Sequence, residues 1–357
     1  MDIMDSSSSS SSSGSDEERE RRVQRVFRPR INLTFNFSDF VFKEKFRVSK
    51  VTAEYIINRL GPQLRTETKR NHALTVQEQL LCALHWLGTG AQYHVNADAH
   101  GLSKATIHRC VKKLCHLLVH TFLGEEVRWP TESVQAIPQL FMSVANIPRV
   151  AGVVDGSLIK IDAPHDNEVS FVDRNGNHSI NIMVVCGPNL EFLYASARWP
   201  GSVHDARVLR CSSLSQQWEN GWRPFPHAIL LGDSGYGLKK WLITPNIPVQ
   251  IPRTNALTSF LRAFKSTRRL VENALGILKE KFPCLNHLRM QPVSACNIIL
   301  SCIIVHNIEK RLGSEVYEPY ENDENVEGED GEAHEDVDAA DPEAIAVLQE
   351  LIHVFEH

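Results

Sequence analysis

Three short runs of β-branched and aromatic residues, Ala151–Ile161, Ser179–Cys186 and Glu191–Ala197, follow one another closely and most constrain the fold. Asn175-Gly176 and Gly187-Pro-Asn supply turns between them, so the runs predict three meandering strands. Ser202 to Leu209 then reads as a helix, Ala228–Gly232 as a fourth strand and Val249–Ile251 as a fifth. Thr267 to about Phe282 and Val293 to Leu312 read as helices. Strands in a meander, then a helix, two more strands and helices give a layered α/β fold.

Carboxylates stand at telling places in this order. Asp155 ends the β-branched run Ala151-Gly-Val-Val-Asp155-Gly156, and Asp233 follows the apolar run Ile229-Leu-Leu-Gly232. Glu272 lies in the helical stretch that begins at Thr267. Acids at two strand ends and on a helix can converge on a pair of divalent ions, which activate water and steady an in-line displacement at phosphorus. Taken singly, Asp155 and Asp233 read as ordinary loop residues and Glu272 as a solvated helix residue. Asp205, in Ser202-Val-His204-Asp205, has two readings. With Ser202 as cap it is an N3 residue favouring the helix dipole, or it points into the acidic cluster as a ligand or as a partner orienting one. Arg268, Glu272 and Lys279 share a helix face at spacings of four and seven. They suit a surface holding a scissile phosphate and DNA backbone, although Arg268–Glu272 alone is also a surface ion pair worth roughly a few tenths of a kcal/mol. The element order matches the ribonuclease H-like core, in which the second carboxylate follows the fourth strand. That favours the triad Asp155–Asp233–Glu272.

The charge is divided. From Glu315 onward there are 16 acidic residues and no Lys or Arg, so residues 1–314 hold 27 acids against all 38 bases, a balance of +11. A basic body with an acidic tail suits a protein that meets polyanions, and equally a protein with a solubilising tail. Eight cysteines without a Cys-x-x-Cys pair argue against a zinc ribbon and a disulfide framework, fitting a reducing compartment with most of them in the core. His165, His178, His204 and His306 fit no standard zinc spacing; His306-Asn307 reads as a packing and hydrogen-bonding element, and Trp199 as packed. No apolar segment near the start reads as a secretory signal, and no run approaches the roughly eighteen unbroken apolar residues of a membrane span, so no membrane partner is expected.

Residues 1–30 are expected to be disordered, with the serine run Ser6–Ser13 followed by a basic stretch from Glu20 to Arg30. Residues 31–130 read as helical. Thr75-Val-Gln-Glu78 has the capping-box pattern, and Ser103 caps a helix with Ile107, Cys110, Val111, Leu114 and Leu118 on one face. Lys104, His108, Arg109, Lys112 and Lys113 fall on the other face. A helix, a glycine turn and a helix with a basic outer face are helix-turn-helix-like, with Lys104, Arg109 and Lys112 as DNA-contact candidates; many three-helix appendages that touch no nucleic acid share the pattern. The acidic stretch 313–340 is expected to be disordered. Residues 341–357 form an amphipathic helix with Asp341 as cap, Pro342 at N1 and a stripe of Ile345, Leu348, Leu351 or Ile352 and Phe355, which needs cover from the body or a partner.

The blocks Gly152-Val-Val-Asp155-Gly156, Pro200-Gly-Ser-Val-His204-Asp205, Gly232-Asp233-Ser-Gly235-Tyr236, Arg268-x3-Glu272-x6-Lys279 and Cys302-Ile-Ile-Val-His306-Asn307 resemble the DDE endonuclease domain of PIF/Harbinger transposases, most of all the Harbinger transposase-derived nucleases of animals. The similarity covers about 150–312. The Arg-x3-Glu-x6-Lys spacing is also similar to that of bacterial DDE insertion-sequence transposases, except that their tyrosine three residues before the arginine is Lys265 here. The resemblance implies a metal-dependent DNA endonuclease with Asp155, Asp205, Asp233 and Glu272 at the metal site. Mg²⁺ or Mn²⁺ is expected, since oxygen ligands suit hard cations and clustered carboxylates repel one another without them. It further implies a nuclear site of action, with shuttling to the cytoplasm, and a separately encoded Myb-like or SANT-type DNA-binding partner; a homo-oligomer is compatible with it. The alternative class is a domesticated protein that binds DNA or chromatin without cutting. A hydrolase of small phosphorylated substrates is disfavoured, since no nucleotide-cradling glycine loop occurs.

Overall fold

In the computed structural model, residues 29–31, 33–65, 72–313 and 341–356 are described. The serine-rich start, nearly all of the basic stretch after it and nearly all of the acidic run 313–340 fall outside them. Strand β1 (Val150–Lys160) lies in the middle of a five-stranded sheet and carries Val150, Val153, Val154 and Ile159 into the core. It pairs antiparallel with β2 (Ser179–Cys186), which pairs antiparallel with β3 (Phe192–Pro200). On its other side β1 pairs parallel with β4 (Ile229–Leu231), which pairs parallel with β5 (Leu242–Ile243), giving the order β3-β2-β1-β4-β5. Every residue of β2 is buried, so both sheet faces are covered there. The expected meander is present, and the turn at Asn175-Gly176 is held by Asp173 Oδ1, which accepts from the N–H groups of Asn175 and Asn177.

Three expectations need correction. The fifth strand is Leu242–Ile243, not Val249–Ile251. Pro248 and Pro252 bracket the latter, Ile251 N turns back to donate to Pro248 O at 3.0 Å, and Val249 is 96% exposed. Helix α7 runs Asp205–Arg210 with His204 as its cap, so Asp205 is its first residue and not its third. The Ser202 hydroxyl is taken up elsewhere, donating to Ser170 O at 2.7 Å. Helix α9 is Asn255–Lys281, starting twelve residues before Thr267 because Thr254 caps it and the apolar spacing continues through Leu257, Phe260 and Phe264. A short helix α8 (Ser213–Glu219) follows α7.

Five helices precede the sheet: α1 (Asp39–Phe46), α2 (Lys50–Leu64), α3 (Val76–Thr89), α4 (Tyr93–His100) and α5 (Lys104–Glu126). Thr75 and Glu78 form the expected capping box, and Ser103 accepts from Thr106 N at the start of α5. Gly90 closes α3 in the left-handed region, where an added Cβ would also lie 2.8 Å from Cys284 N. Helix α6 (Ile137–Ala145) packs on β1 and α9, and α9 packs on β1 and β2. Helix α10 (Pro292–Leu312) joins the two parts, resting on α5 and β3. It is long and apolar enough to cross a membrane, yet 67% of its apolar window is buried inside the protein. Asn307 on α10 performs the packing role expected of it: Nδ2 donates to Glu126 O and Phe192 O, both at 2.7 Å, while Oδ1 accepts from Phe192 N. Glu309, one turn from the end, accepts from Ser49 N and Oγ and ties α10 to α2.

Helix α11 (Pro342–His353) covers its own stripe. Ala344, Leu348, Leu351 and Ile352 are buried against the body, and Phe355 meets Phe260 of α9 at a ring distance of 5.9 Å. Among the described residues all eight cysteines are free, and six are buried.

Candidate active site

The sheet register brings the first two carboxylates level. Val153 of β1 pairs with Leu231 of β4, and Asp155 and Asp233 each lie two residues beyond their member of that pair. Within β1, Gly156 N donates to Asp155 Oδ1 at 2.9 Å; just past β4, Ser234 N donates to Asp233 Oδ1 at 2.7 Å. Helix α9, lying across β1, brings Glu272 to the same region.

Arg268, one turn before Glu272, sits among all three. Its Nη1 donates to Asp233 Oδ1 at 2.7 Å, its Nη2 donates to Glu272 Oε1 at 3.1 Å, and Nη2 lies 3.7 Å from Asp155 Oδ2. The carboxylates of β1, of the β4 end and of α9 therefore converge, and the group they share is a guanidinium. Arg268, expected to grip phosphate, is turned inward here, with its side chain 19% exposed.

Asp205 enters from α7. Its Oδ1 accepts from Asn181 Nδ2 at 2.6 Å, and the same amide nitrogen donates to Val203 O at 2.8 Å. It lies on the bare backbone of Gly156, next to Asp155. The mutual influence of these acids is visible in their protonation. Burial pushes the Asp155 carboxyl up to about 7; Arg268 opposes the shift, and the nearby negative charges of Asp233 and Asp205 add to it. Asp205 is raised in the same way, by burial first, with the Asn181 hydrogen bond opposing. The Tyr236 phenol, buried with no hydrogen-bond partner for its hydroxyl, is raised by burial and then by Asp205, Asp155 and Asp233.

Lys279 closes the site on the α9 side. Its Nζ donates to Ser157 Oγ at 2.9 Å, and burial lowers its pKa while Asp155 opposes. Lys104, Arg109 and Lys112 lie exposed on α5, whose neighbours are α2, α3, α4 and α10, so no packing joins them to the carboxylates. Asn181 and Tyr236 were not singled out from the sequence. Asn181 had a signal, a polar residue inside the apolar run Ile180-Asn181-Ile182.

The donor set fits a hard cation in kind: four carboxylates and no thiolate, with Asp155 and Asp205 raised by burial first and by neighbouring carboxylates after it. Among the described residues no three acidic, histidine or cysteine side chains enclose a single ion. The cationic place between Asp155, Asp233 and Glu272 belongs to Arg268 in this conformation.

Residues 154–307 match the family model of the DDE superfamily endonucleases. "Putative nuclease HARBI1" of Homo sapiens is 34% identical over 309 residues, covering 84% of this chain and 85% of that one. Its namesake from Xenopus laevis is 32% identical over 266 residues, 71% of this chain and 74% of that one. "Protein ALP1-like" of Arabidopsis thaliana is 25% identical over 294 residues, 75% and 70% respectively. No solved structure matches the chain. Identity of 34% over 84% of this chain, together with the family match over 154–307, means that the chain belongs to the Harbinger transposase-derived nucleases, within the DDE superfamily of endonucleases.

Proposed function

We propose that the chain is a divalent-metal-dependent endonuclease that hydrolyses DNA phosphodiesters by in-line attack of water. The observation that carries this reading is the meeting of Asp155, Asp233 and Glu272 around one guanidinium, with Asp205 beside them. The mixed sheet order β3-β2-β1-β4-β5, with acids on β1, after β4 and on the helix after β5, supports a ribonuclease H-like catalytic core.

Asp155, Asp205, Asp233 and Glu272 are the residues that would hold Mg²⁺ or Mn²⁺. A pair of such ions supplies a water of lowered pKa and offsets charge on the phosphoryl oxygens. The chain itself contributes orientation. Asn181 fixes one oxygen of Asp205, and the N–H groups of Gly156 and Ser234 fix one oxygen each of Asp155 and Asp233. Lys279, braced on Ser157, supplies a cation for a phosphate of the cut strand. On α5, the exposed Lys104, Arg109 and Lys112 support a second, helix-turn-helix-like DNA contact. The same reading assigns a nuclear site of action with shuttling to the cytoplasm, a Myb-like or SANT-type partner protein, and compatibility with a homo-oligomer.

One observation favours a second reading. Arg268 already satisfies the carboxylates, as it would in a domesticated protein that binds DNA or chromatin without cutting. The deciding experiment incubates the full chain with plasmid or terminal-repeat DNA and Mg²⁺ or Mn²⁺, with and without a co-purified partner, beside Asp155→Asn. Nicking by the wild type alone supports the nuclease. Equal nicking by both proteins removes the role of Asp155, and binding without cleavage under every condition favours the scaffold.

A further inference from the structure

We infer that Arg268 is the resident counter-ion of the acidic cluster, holding the carboxylates together without metal and giving up its place when a divalent cation binds. This rests on the metal-site reading above and deepens it. The guanidinium uses Asp233 Oδ1 and Glu272 Oε1 as acceptors and faces Asp155 Oδ2, three of the oxygens assigned to the ion. Two cations cannot share those lone pairs at that range, because their mutual repulsion in a partly buried site is strong. Occupancy by Arg268 and by a metal ion is therefore mutually exclusive at these oxygens.

The hydrogen bonds that hold the arginine to the acids are at its tip. Its Nε is buried with no hydrogen-bond partner, so its inward pose is held by the carboxylates at its tip and not by a complete set of bonds. Its long side chain also has somewhere to go. Arg262, Lys265 and Arg269 lie exposed along the same helix, and an arginine released outward extends that cationic row. Loading the site with metal thus has two effects: it replaces the counter-ion, and it adds a guanidinium to the surface that a nucleic-acid phosphate would meet.

The test measures Mn²⁺ binding by titration calorimetry and by the free-Mn²⁺ paramagnetic resonance signal, together with melting in EDTA. It compares the full chain with Arg268→Ala, Arg268→Lys and Arg269→Ala, the last removing an exposed neighbour that makes no contact with the carboxylates. Expected are a lower melting temperature for Arg268→Ala in EDTA and about tenfold or more tighter Mn²⁺ binding. Arg268→Lys should fall between it and the wild type, and Arg269→Ala should stay near the wild type. If Arg268→Ala fails to fold, Arg268→Gln carries the same comparison. Equal or weaker Mn²⁺ binding by the Arg268 variants overturns the counter-ion role and leaves the metal site standing. If none of the proteins, wild type included, binds Mn²⁺, the metal site and the counter-ion role both fall.

Discussion

The carboxylate of Asp205 rests on the backbone of Gly156: a Cβ built on that glycine would lie 2.4 Å from Asp205 Oδ1 and 2.5 Å from Oδ2. Real Cβ atoms essentially never approach so closely, so a side chain there must displace the Asp205 carboxylate. Gly156→Ala is therefore expected to act as a deletion of Asp205 while leaving β1 paired. Loss of a positioned ligand or of its support typically lowers metal affinity or activity about 10–100-fold. Cleavage rate and Mn²⁺ affinity should fall together in Gly156→Ala and in Asp205→Ala. Wild-type values in Gly156→Ala would mean that Asp205 has no part in the site.

Asn181 presents one amide nitrogen to both Asp205 Oδ1 and Val203 O, so it fixes the carboxylate relative to the chain leading into α7. Asn181→Ala removes the donor shared by two half-buried acceptors, a change that costs on the order of 1 kcal/mol. The melting temperature should drop, and the metal affinity with it. Asn181→Asp adds a fourth negative charge beside Asp155, Asp205 and Asp233, so it should be the less stable variant without metal and regain stability on Mn²⁺ addition. An Asn181→Asp protein that gains nothing from Mn²⁺ would separate Asn181 from the ion.

What the sequence disclosed follows how local each cause is. Strands β1 to β3 were legible because β-branched runs and turn residues act within a few positions, and the Arg268–Glu272 pair because four residues make one helical turn. Strand β5 was illegible, since two residues carry no periodicity and the more strand-like Val249–Ile251 is bracketed by prolines. Asp205 was placed two positions too deep in its helix because a distant carbonyl, Ser170 O, engages the hydroxyl that was read as the cap. That three acids share Arg268 was hidden for the same reason: only the register of β1 with β4 and the seating of α9 bring Asp155 and Asp233 to it.

His306 gives the fold an acid-sensitive point away from the site. It is buried on α10, its Nε2 donates to Leu190 O at 2.9 Å, and burial together with Lys281 and Lys310 lowers its pKa to about 3. The unfolded chain therefore takes up this proton near pH 6.5, while the folded chain resists it until about pH 3. The stability tied to neutral His306 is intact above pH 6.5 and declines through this window by roughly 1 kcal/mol per pH unit. His85, lowered to about 4 by burial and by His100, adds a slope of the same sign over a shorter window. Melting curves from pH 7 to pH 4 should be flatter for His306→Gln than for the wild type. Parallel curves would remove His306 from the acid response.

Gly276 lies in the interior of α9, exposed, four residues after Glu272 and three before Lys279, and nothing stands within 4 Å of where its Cβ would be. A glycine mid-helix costs about 0.5–1 kcal/mol relative to alanine, and no packing around Gly276 accounts for it. Its position on the face of Arg268, Glu272 and Lys279 offers a reason: a bare helix surface lets a nucleic-acid backbone come close between the carboxylates and the lysine. Gly276→Ala should then raise the melting temperature by the helix-propensity gain and weaken binding to duplex DNA, measured by fluorescence anisotropy at fixed salt. The opposed signs carry the weight here. A variant that melts higher and binds DNA as tightly as the wild type would show that the strand passes elsewhere along α9.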